Sequence, residues 1–523
     1  MKRNTLTTAV LAGLTGMAGM VSVSNAVNVN PDGLGQVLLY PYYTARGGND
    51  TLISIVNTTE RGKAVKIRFI EALNSREVLD FNIYMSPYDV WTAAVTATAD
   101  GGGKMVTGDS TCTAPNIYDP AAGIGERSFL DFEYAGDGGP QGIERTASGY
   151  IEVIEMHTML PQSASSNDPT NPGYVPFASK HVNGEPRDCG QLESYWAQGA
   201  AINPWFSGNV NFGFDEELGA TGGLFGAGSV INVAEGTMFS YNATAIDGFW
   251  LQGSAFHTNP VSLFPDLGAG DNDESNIFVN GTVVTHDWSG ASTDTSALNA
   301  TLTYNMLMNE YAINEDLGGR SEWVLTFPTK RFHTDANGGY VIADNPIPPF
   351  TRTWHILGDG SLNHSCEDMA FRVWDREESE PTEQPGDVIV SPPPPPETPD
   401  VFQLCREANV VRFSGEGTLP DESEIMKEPL RADFPRLSYV NFNLPGFTEG
   451  WMQFDLGSVP AASPIPVDER LSEPAANGDQ VRGLPVIGFW ANTYTNGDVG
   501  GALANYGGSF NHRGSRAIVT SAP

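Results

Sequence analysis

The sequence predicts a mainly β protein: an immunoglobulin-like β-sandwich followed by a second β-rich domain, with a few short helices. Three observations predict it. Apolar and polar residues alternate with a period of two in several segments, the mark of strands with one buried face. Those segments recur at spacings of roughly ten residues with turn residues between them, the rhythm of a sandwich. Hydrophobic residues make up 40% of the 523 and aromatics 10%, enough apolar mass for substantial cores.

The chain opens with Met1, Lys2 and Arg3, then an apolar stretch over residues 6–23 diluted by Thr and Gly, then the small residues Ser24, Asn25 and Ala26. This reads as a signal peptide over 1–26, with the working protein starting at Val27 outside the cytoplasm. Val27 is not a cysteine, so no lipid anchor is expected. No later segment has the roughly 18 continuous apolar residues that cross a bilayer as a helix, and the tail 519–523 carries no hydrophobic sorting segment.

Residues 27–105 are expected to form the N-terminal β-sandwich. "GQVLLYPYYT" and "TLISIVNTT" flank a Gly/Asn turn. In "KAVKIRFIE", Val65, Ile67 and Phe69 fall on one face, Lys66 and Arg68 on the other; Leu79, Phe81, Ile83 and Met85 alternate with Asp80, Asn82 and Tyr84. Gly101, Gly102 and Gly103 are read as the end of this unit. Residues 106–319 form a mixed, irregular region. "GYIEVIEMHTML" reads as a strand there, "CGQLESYWAQGA" as a short helix with Leu192, Tyr195 and Trp196 on one face. "TSALNATLTYNMLMNEYAI" reads as a longer helix, with Leu298, Leu302 and Met306 every fourth residue and Leu307 and Tyr311 extending the stripe. Residues 320–523 are the C-terminal β domain, with strands in "SEWVLTFP", "MAFRVWD", "NVVRF", "SYVNFNL", "WMQFDLG" and "LPVIGFWANTY". Met452, Phe454 and Leu456 alternate with Gln453 and Asp455. A proline-rich inserted loop over 376–400 carries five consecutive prolines that cannot join a sheet ladder.

Lys and Arg number 28 against 63 Asp and Glu, a net charge of −35 that becomes −37 once Lys2 and Arg3 leave with the signal. Such a surface repels nucleic acid and anionic headgroups and reads as a solvated acidic exterior. Cys112, Cys189, Cys366 and Cys405 are an even set for an oxidising compartment. Of their three connectivities the pairs of sequence neighbours, Cys112–Cys189 and Cys366–Cys405, are expected.

No motif carries catalysis. The eight histidines form no H-x-x-x-H or H-E-x-x-H pattern, and His355 and His364 bracket a turn at no recognised ligand spacing. There is no G-x-S-x-G elbow, no Walker loop and no dinucleotide fingerprint. Acidic pairs such as Asp131/Glu133, Asp215/Glu216 and Glu377/Glu378 are too many to single out an acid and a base. No catalytic and no cofactor-binding residue is therefore assigned. Calcium is the small partner the acidic turns suit best, at Asp271 and Asp273, with the Asn28–Gly33 segment as an EF-hand-like start spoiled by Pro31 and Leu39. The aromatics Tyr40/Tyr42/Tyr43 and Trp205/Phe206 have the chemistry to stack on sugars, but Tyr40 and Tyr42 share a strand face and read as core.

The strings "GQVLLYPYYT", "TLISIVNTT", "VKIRFIEALNSREVLDFNIYMSPYDVWTA", "SEWVLTFPTKRF", "FRVWDREE" and "YGGSFNHRGSR" resemble a family of uncharacterised exported proteobacterial proteins that carry the label cell surface protein. The resemblance runs through most of the chain after the signal. It implies a surface location and transfers no catalytic residue. The expectation is an exported, non-catalytic cell-envelope or cell-surface protein with a structural or binding role, whose partners are a second copy or a surface polysaccharide. The alternatives are a secreted carbohydrate-binding module stabilised by calcium and an extracellular hydrolase.

Overall fold

Val65, Ile67 and Phe69 point into one hydrophobic core, as their spacing requires. The computed structural model describes residues 26–162, 167–197, 204–206, 210–380, 389–391, 402–415 and 418–521; the expected signal, apart from Ala26, lies outside them. Among the described residues the protein is mainly β and builds two two-sheet sandwiches.

In the first sandwich a seven-stranded sheet runs in the order Asn28–Val29, Thr244–Asp247, Val37–Thr44, Ser148–Thr158, Lys63–Glu71, Glu77–Met85, Cys112–Ala114. Facing it is a six-stranded sheet: Thr237–Asn242, Leu224–Asn232, Asn49–Asn57, Val90–Ala97, Gly103–Thr107, Gly125–Ser128. The expected boundary at 105 therefore falls inside a strand. Gly101 to Gly103 make a turn rather than an end, and the region 106–319 completes both sheets, because Ser148–Thr158 pairs with two earlier strands and Leu224–Asn232 joins the earlier Asn49–Asn57 to Thr237–Asn242.

The outer face of the seven-stranded sheet is not solvated. Val37, Leu39 and Ile154 pack under Leu298, Leu302 and Trp250, and Tyr84 and Met156 pack under Val175, Leu192 and Trp205. The strand Lys63–Glu71 is consequently buried along its whole length, where alternation had predicted one wet face. Charge under that cover must be paired. Lys63 meets Glu155 at 2.7 Å, Lys66 meets Asp80 at 2.6 Å, and Arg68 meets Glu77 at 2.6 Å and Glu152.

The second sandwich faces a five-stranded sheet (Phe402–Leu404, Glu367–Asp375, Glu449–Asp455, Met306–Ala312, Arg513–Ser515) against a six-stranded one. The latter runs Ile389–Ser391, Val440–Asn443, Ala408–Ser414, Gly319–Thr326, Ile487–Val499, Ala502–Asn511. Alternation along Gly319–Thr326 joins the two halves of the protein. Trp323 and Leu325 enter the core of the second sandwich, whereas Val324 enters that of the first, together with Val410, Phe489 and Ala491. Phe489 stacks on Tyr241 at 4.8 Å, and Thr326 Oγ1 donates to the Pro41 carbonyl at 2.6 Å.

Beside this shared core runs a buried ionic seam. Arg145 pairs with Glu71 at 2.9 Å and Asp137 at 2.7 Å, Arg76 with Asp335 at 2.7 Å, Arg331 with Asp266 at 3.0 Å. Tyr42 donates to Glu428, which Arg406 meets at 2.9 Å.

The expected longer helix is a correction. Only Ser296–Leu302 is helical; the chain then extends through Thr303–Tyr304 and Met306–Ala312. A spacing of four is even, so residues that share a helix stripe also share a strand face. Leu307 and Tyr311 do so, while Met306 points the other way. The short helix in "CGQLESYWAQGA" forms as Cys189–Ser194, with Leu192 buried. Both disulfides join sequence neighbours, Cys112–Cys189 and Cys366–Cys405. The second pins the ends of the proline-rich segment, most of which lies outside the described residues. Its residues 389–391 are not loop, since they pair antiparallel with Val440–Asn443 at the sheet edge.

Candidate binding groove

The five-stranded sheet keeps one face open, and the register decides what stands on it. Val373, Met452, Phe454, Leu307 and Tyr311 fill the core, so their neighbours in sequence point outward. Trp374, Trp451 and Glu310 then fall in one cross-strand row, since Trp451 lies opposite both Trp374 and Glu310. The two indoles stack with centroids 4.1 Å apart and planes 14° apart, and Trp451 remains 38% exposed. Trp374 is held from behind: its Nε1 donates to Glu380 at 2.8 Å, and the Arg372 guanidinium lies 4.6 Å from its ring. The Tyr311 hydroxyl donates to the Trp374 carbonyl at 3.0 Å. A Cβ at Gly450 would overlap that same carbonyl oxygen, so glycine is what lets the strands approach here.

A groove opens beside this row because one strand stops early. Arg513–Ser515 pairs only with Met306, Leu307 and Met308, so residues 309–312 have a neighbour on one side alone, Glu449–Asp455. The resulting cavity of about 580 Å3 is walled by Glu310, Tyr311, Asp375, Glu378, Glu449, Trp451, Trp490 and Tyr494. It continues past Trp451 and Trp490 into a second space of about 280 Å3 bounded by Asn309, Phe510 and Arg513. Trp490 is fixed by donation from Nε1 to Ser321 Oγ at 2.6 Å and stacks on Phe510 at 5.1 Å; Phe510 is 55% exposed. The groove thus offers two exposed rings, Trp451 backed by Trp374 and Phe510 backed by the buried Trp490, with carboxylates between and beside them. Pyranose rings, with one apolar C–H face and a rim of hydroxyls, fit such a combination: indole takes the face, carboxylates accept from the rim.

The residues that the sequence singled out lie elsewhere. Asp271 accepts the Leu251 backbone N–H at 2.8 Å, Asp273 is exposed with its carbonyl accepting from Trp288, and among the described residues no three His, Cys, Asp or Glu gather as metal ligands. Asn30 is occupied in its own turn, accepting from Asp32 N and donating to the Leu34 carbonyl. Tyr40, Tyr42, Tyr43 and Trp205 are buried, and Phe206 is exposed without them. His355 lies opposite Asn363 and His364 opposite Trp354, so the two do not face each other. Burial pushes His157, His333, His364 and His512 down to about 4 and His257 to about 3, which makes them neutral packing groups near neutral pH.

Three carboxyls are shifted toward the range of general acids, one of them Glu77, which burial raises to about 7 although Arg68 pairs with it on the covered face of the first sandwich. Burial raises Glu407 to about 8, against the pull of Lys330, and raises Glu322 to about 7, against the backbone N–H groups of Ile425 and Met426. Both are sealed between the halves of the protein, and neither lines the groove. Of the groove residues the sequence pattern marks Trp451 alone: the alternation that sends Met452, Phe454 and Leu456 inward sends Trp451 out. No protein-family model, curated protein or solved structure matches this chain.

Proposed function

We propose that the protein is an exported, non-catalytic component of the cell envelope or cell surface that binds carbohydrate in this groove. The observation that carries the reading is the outward Trp374–Trp451 stack, aligned with Glu310 on an open sheet face and contacted by Arg372, Glu380 and Tyr311. Exposed aromatic surface rimmed by polar groups marks an interaction site, and side chains already held by hydrogen bonds and stacking reduce the ordering cost of binding. Two disulfides support work in an oxidising compartment, and no helix among the described residues is long and apolar enough to cross a membrane.

Binding is favoured over hydrolysis because a glycosidic general acid needs an enclosed carboxyl that keeps its proton. Here Glu310 and Glu378 are exposed, and Asp375 and Glu449 are half-buried at an open mouth. The test is retention on insoluble polysaccharides and quenching of tryptophan fluorescence by soluble oligosaccharides, with Trp451→Ala alongside. Loss of one sugar-stacking platform is expected to cost about 1–3 kcal/mol, or about 5- to 150-fold in affinity, with the melting temperature little changed. Equal binding by the variant, or release of new reducing ends from any bound glycan, sinks the proposal.

A further inference from the structure

Resting on the carbohydrate reading, we infer that the glycan is cationic: a chain of amino sugars with free, protonated amines. The charge lining the groove is the ground. Glu310, Asp375, Glu378 and Glu449 face the larger cavity with one guanidinium, Arg376, among them. Arg376 is consumed by Glu449 at 2.8 Å. Asp375 Oδ1 accepts the backbone N–H groups of Glu377 and Ser379 at 2.8 Å each, which fixes its carboxylate but leaves its charge uncompensated. Glu310 and Glu378 are paired with no cation among the described residues. Arg513 borders the smaller space together with Glu310, with no ion pair between them among the described residues, and does not line the larger cavity that holds Asp375 and Glu378.

Three uncompensated carboxylates beside stacked indoles form a site with one electrostatic preference. An indole face attracts a cation through its quadrupole, and carboxylates accept charge-assisted hydrogen bonds from an ammonium. A neutral sugar would satisfy the indoles and leave the acids merely hydrated. An acidic sugar would be repelled by the groove and by the whole surface, at a net charge of −35. Repeated amines along a polymer match the layout, because the exposed Phe510 ring, stacked on the buried Trp490, continues the groove past Glu310. The site would hold successive rings with amines toward Glu310, Asp375 and Glu378.

The experiment compares a glucosamine oligomer with the same oligomer fully N-acetylated, in mildly acidic buffer where the amines are charged. Binding is read by tryptophan fluorescence and calorimetry on the intact protein, on Glu310→Gln/Glu378→Gln and on Trp451→Ala. The free-amine oligomer is expected to bind about tenfold tighter than the acetylated one. That advantage should vanish in about 1 M salt, where charges are screened beyond about 3 Å. The double variant, which keeps only Asp375 of the three, should lose most of that advantage, and Trp451→Ala should lose both oligomers. Equal affinity for the two oligomers in the wild type overturns the cationic ligand while leaving the carbohydrate reading standing. Binding of neither overturns both. Undiminished binding of the amine oligomer by Trp451→Ala would reduce it to non-specific attraction to an acidic surface and overturn the inference.

Discussion

Glu407 offers the most direct measurement of what the seam between the two sandwiches costs. Its backbone N–H donates to the Ala72 carbonyl at 3.0 Å, which plants the side chain between the halves, and its Oε2 meets no hydrogen-bond donor. The cation that acts on it most strongly, Lys330, donates to the carbonyls of Cys405 at 3.1 Å and Arg406 at 3.3 Å. Burial raises the carboxyl from 4.5 to about 8, with Asp335 and Glu71 adding to the rise and Lys330 opposing it. Between those values the folded protein holds a proton that the unfolded chain has released. Stability is therefore full below 4.5, falls by about 1.4 kcal/mol per pH unit above it, and levels off past 8. The whole span corresponds to about 5 kcal/mol, and relaxation around the seam brings the expected loss to about 2–4 kcal/mol. Glu407→Gln keeps the shape and cannot ionise. Urea unfolding of both proteins at about pH 5, 7 and 9 should show near equality at the first and a growing advantage for the variant thereafter. A difference that stays flat with pH, or a variant that loses ground as pH rises, would refute the assignment of a buried protonated carboxyl.

Arg145→Met strips the ion-pair partner from Glu71 and leaves Asp137 only Arg76 at 3.5 Å, both carboxylates being buried; the expected loss is about 3–5 kcal/mol in chemical unfolding, and under about 1 kcal/mol would mean the seam is wet. The Cys366→Ser/Cys405→Ser pair releases a 39-residue separation, for an expected loss of about 4 kcal/mol in the chain-entropy picture, read as a lower unfolding midpoint. Gly450→Ala places a methyl against the Trp374 carbonyl; about 1–3 kcal/mol of destabilisation is expected together with weaker quenching by oligosaccharide, and preserved binding would show that the indole stack does not need that close approach.

Much of the sheet was legible because alternation is local. Val65, Ile67 and Phe69, or Met452, Phe454 and Leu456, reveal their shared face from spacing alone. What spacing cannot supply is the identity of the layer on the other side. Lys66 and Arg68 look solvated until Leu298, Trp250 and Trp205, more than a hundred residues away, close over their sheet. The helix expected through Tyr311 fails for a related reason, since a repeat of four serves both a helix stripe and a strand face. The groove was half legible: strand alternation marks Trp451 as outward, but its alignment with Trp374 and Glu310 is a matter of register between three distant segments. The early end of Arg513–Ser515, which opens the cavity, has no local signature.

The shared core has a consequence for how the protein can be made. As the chain emerges from a ribosome or a translocation pore, the strand Asn49–Asn57 waits for Leu224–Asn232 before its sheet edge is covered. Tyr42 and Tyr241 then wait for Phe489, nearly at the other terminus. Nascent chains with more than half their length delivered would still display aromatic surface and unpaired strand edges. Such a chain is vulnerable to aggregation for as long as delivery lasts. Holding factors that act on the growing chain, rather than the stability of the finished one, would then set its yield.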